Sequence, residues 1–142
     1  MTSTEPVETY NKHEKPSKLK FVKMLVIRDL TANMIESQVK ACIDPTATVK
    51  TDGFKSYSKL STMVAKHQEF VVPPKEASSV LPWVHTMISN AKRTFAGIHH
   101  MMKEGYMQNY LDEFCYKVNR RYFQNKLYDR LLIACISNVW YD

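Results

Sequence analysis

The chain is poor in the residues that make proteins flexible, cross-linked or membrane-bound. Glycine occurs 3 times in 142 residues, which excludes a collagen-like repeat or a glycine-rich linker. Cysteine also occurs 3 times, at Cys42, Cys115 and Cys135, an odd count with no CxxC spacing. Neither a disulfide framework nor a zinc ribbon fits that usage, and the three are expected to be buried, reduced thiols in a cytoplasmic protein. The longest apolar run, Leu131–Ile136, falls far short of the roughly 20 residues a membrane span needs. Residues 1–9 are polar and lack the apolar centre of a secretory signal. No P-loop, GxGxxG or GxSxG motif is present, so the common nucleotide-binding and serine-hydrolase signatures are missing. His99 and His100 are adjacent, and neighbours on a helix point about 100° apart, so they do not read as a metal pair.

What the chain does have is positive charge. Lys and Arg number 20 against 14 Asp and Glu, giving a formal +6, and such a balance favours polyanionic partners. Lys92, Arg93, His99, His100, Lys103, Lys117, Arg120 and Arg121 fall in one third of the chain, interleaved with Phe95, Tyr106, Tyr110, Tyr116 and Tyr122. Cations among aromatics suit a phosphate-contacting surface; a solvated basic face has the same composition.

Hydrophobic periodicity gives a coarse layout. Residues 1–18 are polar, a frayed start with a short strand at Val7–Tyr10, and 19–142 form the folded part. Leu19–Ile27 reads as a strand. Asn33 and Glu36 resemble a capping box ahead of a helix carrying Ile35, Val39 and Cys42. Ala47–Thr51 is a strand closed by Asp52-Gly53, Tyr57–Val64 a helix, and Phe70–Val72 a brief strand. A helix over about Trp83–Phe95 carries an apolar stripe of Val84, Ile88, Ala91 and Phe95. Opposite the stripe run two polar rows: His85, Ser89, Lys92 and Thr86, Asn90, Arg93. Two further helices are expected, at Met107–Tyr122 and at Leu127–Trp140, the latter with Leu131, Ala134, Cys135 and Val139 inward. The order is that of an α/β domain with a helical C-terminal part.

Asp52 stands at the C-terminal end of a strand before a glycine turn, where α/β folds place functional groups. Asp-Gly is also ordinary turn chemistry, and spacing alone does not choose between the two.

Three segments carry a resemblance: VKTDGFKSYSKL (Val49–Leu60), LPWVHTMISNAKRTFAGIHH (Leu81–His100) and YMQNYLDEFCYKVNRRYF (Tyr106–Phe123). In this order and spacing they resemble the ISXO-type transposase domain of bacterial insertion sequences, a DDE-class family similar in fold to ribonuclease H and the retroviral integrases. The resemblance runs from about Leu19 to the end. It implies a ribonuclease H-like mixed sheet flanked by helices, DNA as partner, and DNA strand cleavage and transfer with two Mg²⁺ ions about 3.5–4 Å apart. It also implies that Asp52 is the family's second acidic position and Asn90 its third. Both would be metal ligands, with Lys92 steadying a phosphate or a bound water and His85 close by. Lys92, Arg93, His99, His100, Arg120 and Arg121 become the DNA-contacting set.

The family's first strand, with its first catalytic Asp, finds no counterpart in this reading, because Glu5 and Glu8 lie in a polar stretch. Nor does the family's N-terminal zinc-ribbon region. The chain is therefore expected to be the C-terminal part of a transposase, with Ala47–Thr51 left as an open sheet edge. That edge would invite self-association into a homo-oligomer, leave the chain marginally folded, or be filled by Val7–Tyr10. Three readings stay open: a catalytic-domain fragment whose site Asp52 and Asn90 help to form, a catalytically inactive remnant that binds DNA without sequence preference, and a pseudogene-like product with no maintained function.

Overall fold

The computed structural model describes residues 1–6, 17–71, 73, 77–98 and 101–137. The expected strand at Val7–Tyr10 and the pair His99-His100 lie outside them. The chain is mixed α/β and divides into two compact units, one made of Met1–Met24 with Met102–Asp142, the other of Leu25–Met101.

In the first unit, β1 (Thr2–Pro6) pairs antiparallel with β2 (Ser17–Val22). The start of the chain is thus a strand rather than a frayed end. The register slips between Ser3 and Thr4, which face Phe21 and Leu19, so Lys20 is an extra residue in β2. A bulge of this kind shifts the side-chain alternation by one. Leu19 (1% exposed) and Val22, three apart, are therefore both buried, while Phe21 is 62% exposed. The strand was expected to reach Ile27. It ends at Val22, and the last rung is made by Met1 and Lys23, which exchange backbone bonds of 2.7 and 2.9 Å.

The outer edge of β2 is sealed by side chains. Asn119 accepts from the Val22 N–H (2.7 Å) and donates to the Val22 carbonyl (2.9 Å), standing in for a neighbouring strand. Arg121 donates to the Leu19 carbonyl at 2.7 Å, and the Tyr122 hydroxyl donates to the same oxygen. Gln108 donates to Met24 O at 3.1 Å. Covered edges of this sort resist pairing with other chains. These groups come from α4 (Met107–Arg120) and the 3₁₀ segment Arg121–Lys126 after it. The buried side of α4 holds Phe114 and Cys115, as the periodicity predicts. Burial pushes the Cys115 thiol above its ordinary pKa, which keeps it protonated and unreactive. Within the 3₁₀ segment Gln124 has φ 38° and ψ −116°, a sharp break that lets the chain restart as α5 (Leu127–Ser137). Leu131 and Cys135, expected to face inward, are exposed.

In the second unit, α1 (Ala32–Cys42) starts one residue before the expected cap. Thr31 is the N-cap, its hydroxyl accepting from the Met34 N–H at 3.4 Å. The Asp29 carboxylate in turn accepts from the Thr31 N–H (3.0 Å) and hydroxyl (2.5 Å), which lowers its pKa. Ile35 and Val39 of α1 pack with Leu60 and Val64, with Ile43, Val49, Tyr57 and Met63 around them. β3 (Thr48–Asp52) pairs in parallel with β4 (Lys66–Phe70), Asp52 opposite Phe70. Parallel strands need a crossover of about a dozen residues, usually a helix. Here it consists of two 3₁₀ turns, Lys55–Tyr57 and Leu60–Thr62, in place of the expected helix. The segment is rich in Ser and Thr, which bond the backbone and compete with helix: Ser56 donates to Leu30 O and Thr62 to Lys59 O. Leu60 and Val64 are nevertheless buried. β4 likewise precedes the expected Phe70–Val72, since its extent follows β3 and Gly53 turns away. Val71 is 82% exposed, and Val72 lies outside the described residues.

A short helix α2 (Ala77–Val80) leads to α3 (Pro82–Ile98), whose proline occupies the first position, where no N–H bond is lost. Among the described residues the four strands thus form two separate pairs rather than one mixed sheet.

Candidate functional site

β3 delivers Asp52 to the C-terminal end of the parallel pair, where it is exposed. The turn that follows requires glycine: a Cβ on Gly53 would stand 2.5 Å from Cγ2 of Val71. Behind the turn sits Tyr57, half-buried, its ring packed edge-on against Phe54 at 5.9 Å between centroids. Its phenol is pushed above the ordinary range, first by burial and then by the Asp52 charge. One strand residue back, Thr51 shares a 2.8 Å hydrogen bond with Nε2 of His67 on β4. Asp52 is therefore held at the end of a pinned strand, beside a protonated phenol.

This neighbourhood makes a titration prediction. Asp52→Asn should lower the Tyr57 pKa only partway, because burial is the larger cause. The tyrosine ring-carbon signal followed by NMR against pH checks this. The sign also fixes the effect on stability. With the folded-state pKa raised, the contribution of Tyr57 is fully present below about pH 10 and is lost as pH rises through the folded value.

α3 carries the remaining residues of this unit. The buried stripe is Met87, Ala91 and Phe95, rotated from the expected one; Ile88 is exposed and Val84 half-buried. At about 100° per residue, Asn90 lies on the flank of this stripe and is half-buried. Its helical neighbours are Thr86 and Arg93. Thr86 donates to the Pro82 carbonyl at 2.7 Å, and Arg93 is exposed. His85 and Lys92, both exposed, form the adjoining row. Asn90 and Lys92 point about 160° apart around the helix, so the cation nearest Asn90 on α3 is Arg93, three residues on. That i, i+3 spacing was visible in the sequence.

Arg120 and Arg121 belong to the other unit. The Arg120 guanidinium lies 3.6 Å from the centre of the Tyr116 ring, a stacked cation–π contact, and its buried Nε has no acceptor among the described residues. Arg121 is committed to structure: besides Leu19 it donates to Val118 O at 2.6 Å and stacks on Tyr122. No local sequence pattern signals this use.

Among the described residues no group of three or more His, Cys, Asp or Glu side chains is placed to hold a metal ion. A hard divalent cation takes about six oxygen ligands. Among the described residues the candidate ligands Asp52 and Asn90, one exposed carboxylate and one amide, are too few for a pair of such ions, so these two alone do not fit the two-ion arrangement. Also among the described residues, no helix is long and apolar enough to cross a membrane.

A family model described as an ISXO2-like transposase domain matches the chain over residues 4–119. No curated protein and no solved structure matches the chain. The match begins well upstream of Leu19 and so takes in the last three residues of β1 as well as β2. It continues through the Asp52 strand and the α3 helix and ends in α4 at Asn119, next to the residues that seal the β2 edge. Spanning most of the chain and all three motif segments except the last residues of the third, it establishes the assignment: this protein belongs to the ISXO2-like transposase domain family.

Proposed function

We propose that this chain serves transposition as a DNA-holding domain that does not cleave DNA by itself. Asp52 and Asn90 are the positions of the family's acidic site on a ribonuclease H-like framework, and the exposed cations of α3 grip the phosphate backbone. The observation that carries the reading is the build of α3. Met87, Ala91 and Phe95 fix the helix in the unit, leaving Lys92 and Arg93 exposed on either side of a polar face that includes His85 and Ser89, with Arg93 next to the half-buried Asn90. Cations on a docked helix position a duplex without reading its sequence. His85 stands in the same row as Lys92 and supplies a further hydrogen-bond donor.

The metal arithmetic favours holding over cutting. DDE-class transposases generally use divalent metal ions, and two-metal catalysis needs both ions clamped, which Asp52 and Asn90 alone do not achieve. Supercoiled plasmid incubated with the protein and Mg²⁺ is expected to be retarded in a gel but to remain unnicked. Nicking that disappears in Asp52→Ala would overturn the reading and would establish a complete active site.

A further inference from the structure

The turn that carries Asp52 also exposes apolar side chains. Phe54, two residues on, is 44% exposed, and Val71, which lies against Gly53 across the turn, is 82% exposed. Phe54 is nevertheless held in place. Its carbonyl accepts from the Tyr57 N–H at 3.0 Å, and the Ser56 hydroxyl ties the same segment to Leu30 O at 2.6 Å. The half-buried Tyr57 ring meets the Phe54 ring at an interplanar angle of 69°. An edge contact of that kind covers one face of an aromatic ring at most, so Phe54 presents an open, fixed face beside an exposed carboxylate. Lys50 and Lys55, both exposed, bracket the turn and form no ion pair among the described residues.

From these observations we propose that Phe54 is a base-stacking residue, and that the DNA held at Asp52 has an unpaired base lying on its ring. This rests on the DNA-holding reading and adds the class of substrate to it. A base inside a duplex is covered on both faces by its neighbours, so a protein ring stacks only on one that has left the helix. The substrate is then a duplex end with unpaired nucleotides rather than an intact duplex. Lys50 and Lys55 supply cations for the phosphates on either side of the stacked nucleotide.

The mixture of side chains selects this ligand. A protein partner docks on a contiguous apolar core with charge kept to the rim. Here a carboxylate and two ammonium groups stand among the apolar side chains of the turn and break its surface into single residues. A fixed aromatic ring with lysines beside it is instead the combination that single-stranded nucleic-acid sites use. Stacking tolerates any sequence, because every base has a π face. The contact therefore adds a preference for unpaired DNA without adding one for a particular base.

The test uses the full chain and one duplex sequence in two forms, blunt and forked, the fork carrying 2-aminopurine among a few unpaired nucleotides. The parent should bind the forked form about 10-fold more tightly than the blunt one and quench the 2-aminopurine fluorescence on binding. Phe54→Ala should bring the forked form down to the affinity of the blunt one and abolish the quench, and Phe54→Trp should keep both. Phe54 is exposed, and an unchanged circular dichroism spectrum checks that the alanine variant is folded; the parent's own comparison of the two forms needs no variant. Equal binding of the two forms by the parent, or a preference and quench that survive Phe54→Ala, would overturn the inference and leave duplex holding by α3 standing. No binding of either form would overturn that reading and this inference with it.

Discussion

Replacing Asn119 with leucine is expected to destabilise the protein by about 2–5 kcal/mol. The side chain is close in size to leucine, so the loss comes from hydrogen bonding rather than from a cavity. Asn119 holds both the N–H and the carbonyl of Val22, at 2.7 and 2.9 Å. Leucine offers neither, and each half-buried backbone group left unsatisfied costs roughly 1–3 kcal/mol. Against a typical domain stability of about 5–15 kcal/mol the loss is large, and it should lower the melting temperature by about 10 °C. It also reopens the outer edge of β2, so the variant should aggregate more readily on heating. Asn119→Asp keeps the acceptor for Val22 N–H but sets a carboxylate against the Val22 carbonyl, and should fall between. Thermal unfolding by circular dichroism checks the series. A leucine variant within about 0.5 kcal/mol of the parent would mean that Asn119 does not seal the strand.

The second large effect is on DNA. Lys92→Glu with Arg93→Glu should weaken duplex binding on the order of 100-fold at low salt and reduce the salt slope by about 2. Both side chains are exposed on α3, so the fold should tolerate the change. Arg121 is unsuitable for such a test, because its guanidinium holds Leu19 O and Val118 O. Charge reversal there would loosen β2, and lost binding would report unfolding. Binding unchanged by the α3 reversal in a filter assay would move the DNA surface elsewhere.

Helices were the legible part of the sequence. α3 and α4 are long enough for the 3.6-residue period to show, although on α3 the buried stripe is rotated to Met87, Ala91 and Phe95, leaving Ile88 exposed and Thr86 and Asn90 half-buried. Strands were read less well, for reasons particular to each. At Leu19–Val22 a bulge changes the alternation, which no local pattern announces. Lys66–Phe70 is a strand because β3 lies alongside it, not because of its own composition. Thr31 rather than Asn33 caps α1 because Asp29 fixes its hydroxyl. The apolar period of α5 identified a helix correctly, but Leu131 and Cys135, which it placed inward, are exposed. At the candidate site, the TDG turn was visible as three residues. The proximity of Asp52 to Tyr57 and the commitment of Arg121 to structure depend on the fold and were not.

The measurement that bears most directly on the proposed role is a fluorescence-anisotropy titration of two duplexes of unrelated sequence, at several salt concentrations. For a phosphate-gripping transposase domain, the two should bind within a few-fold of each other. Log K should fall linearly with log salt, by about 0.9 for each phosphate neutralised. No binding to either duplex at low salt, or binding indifferent to salt, would contradict the account.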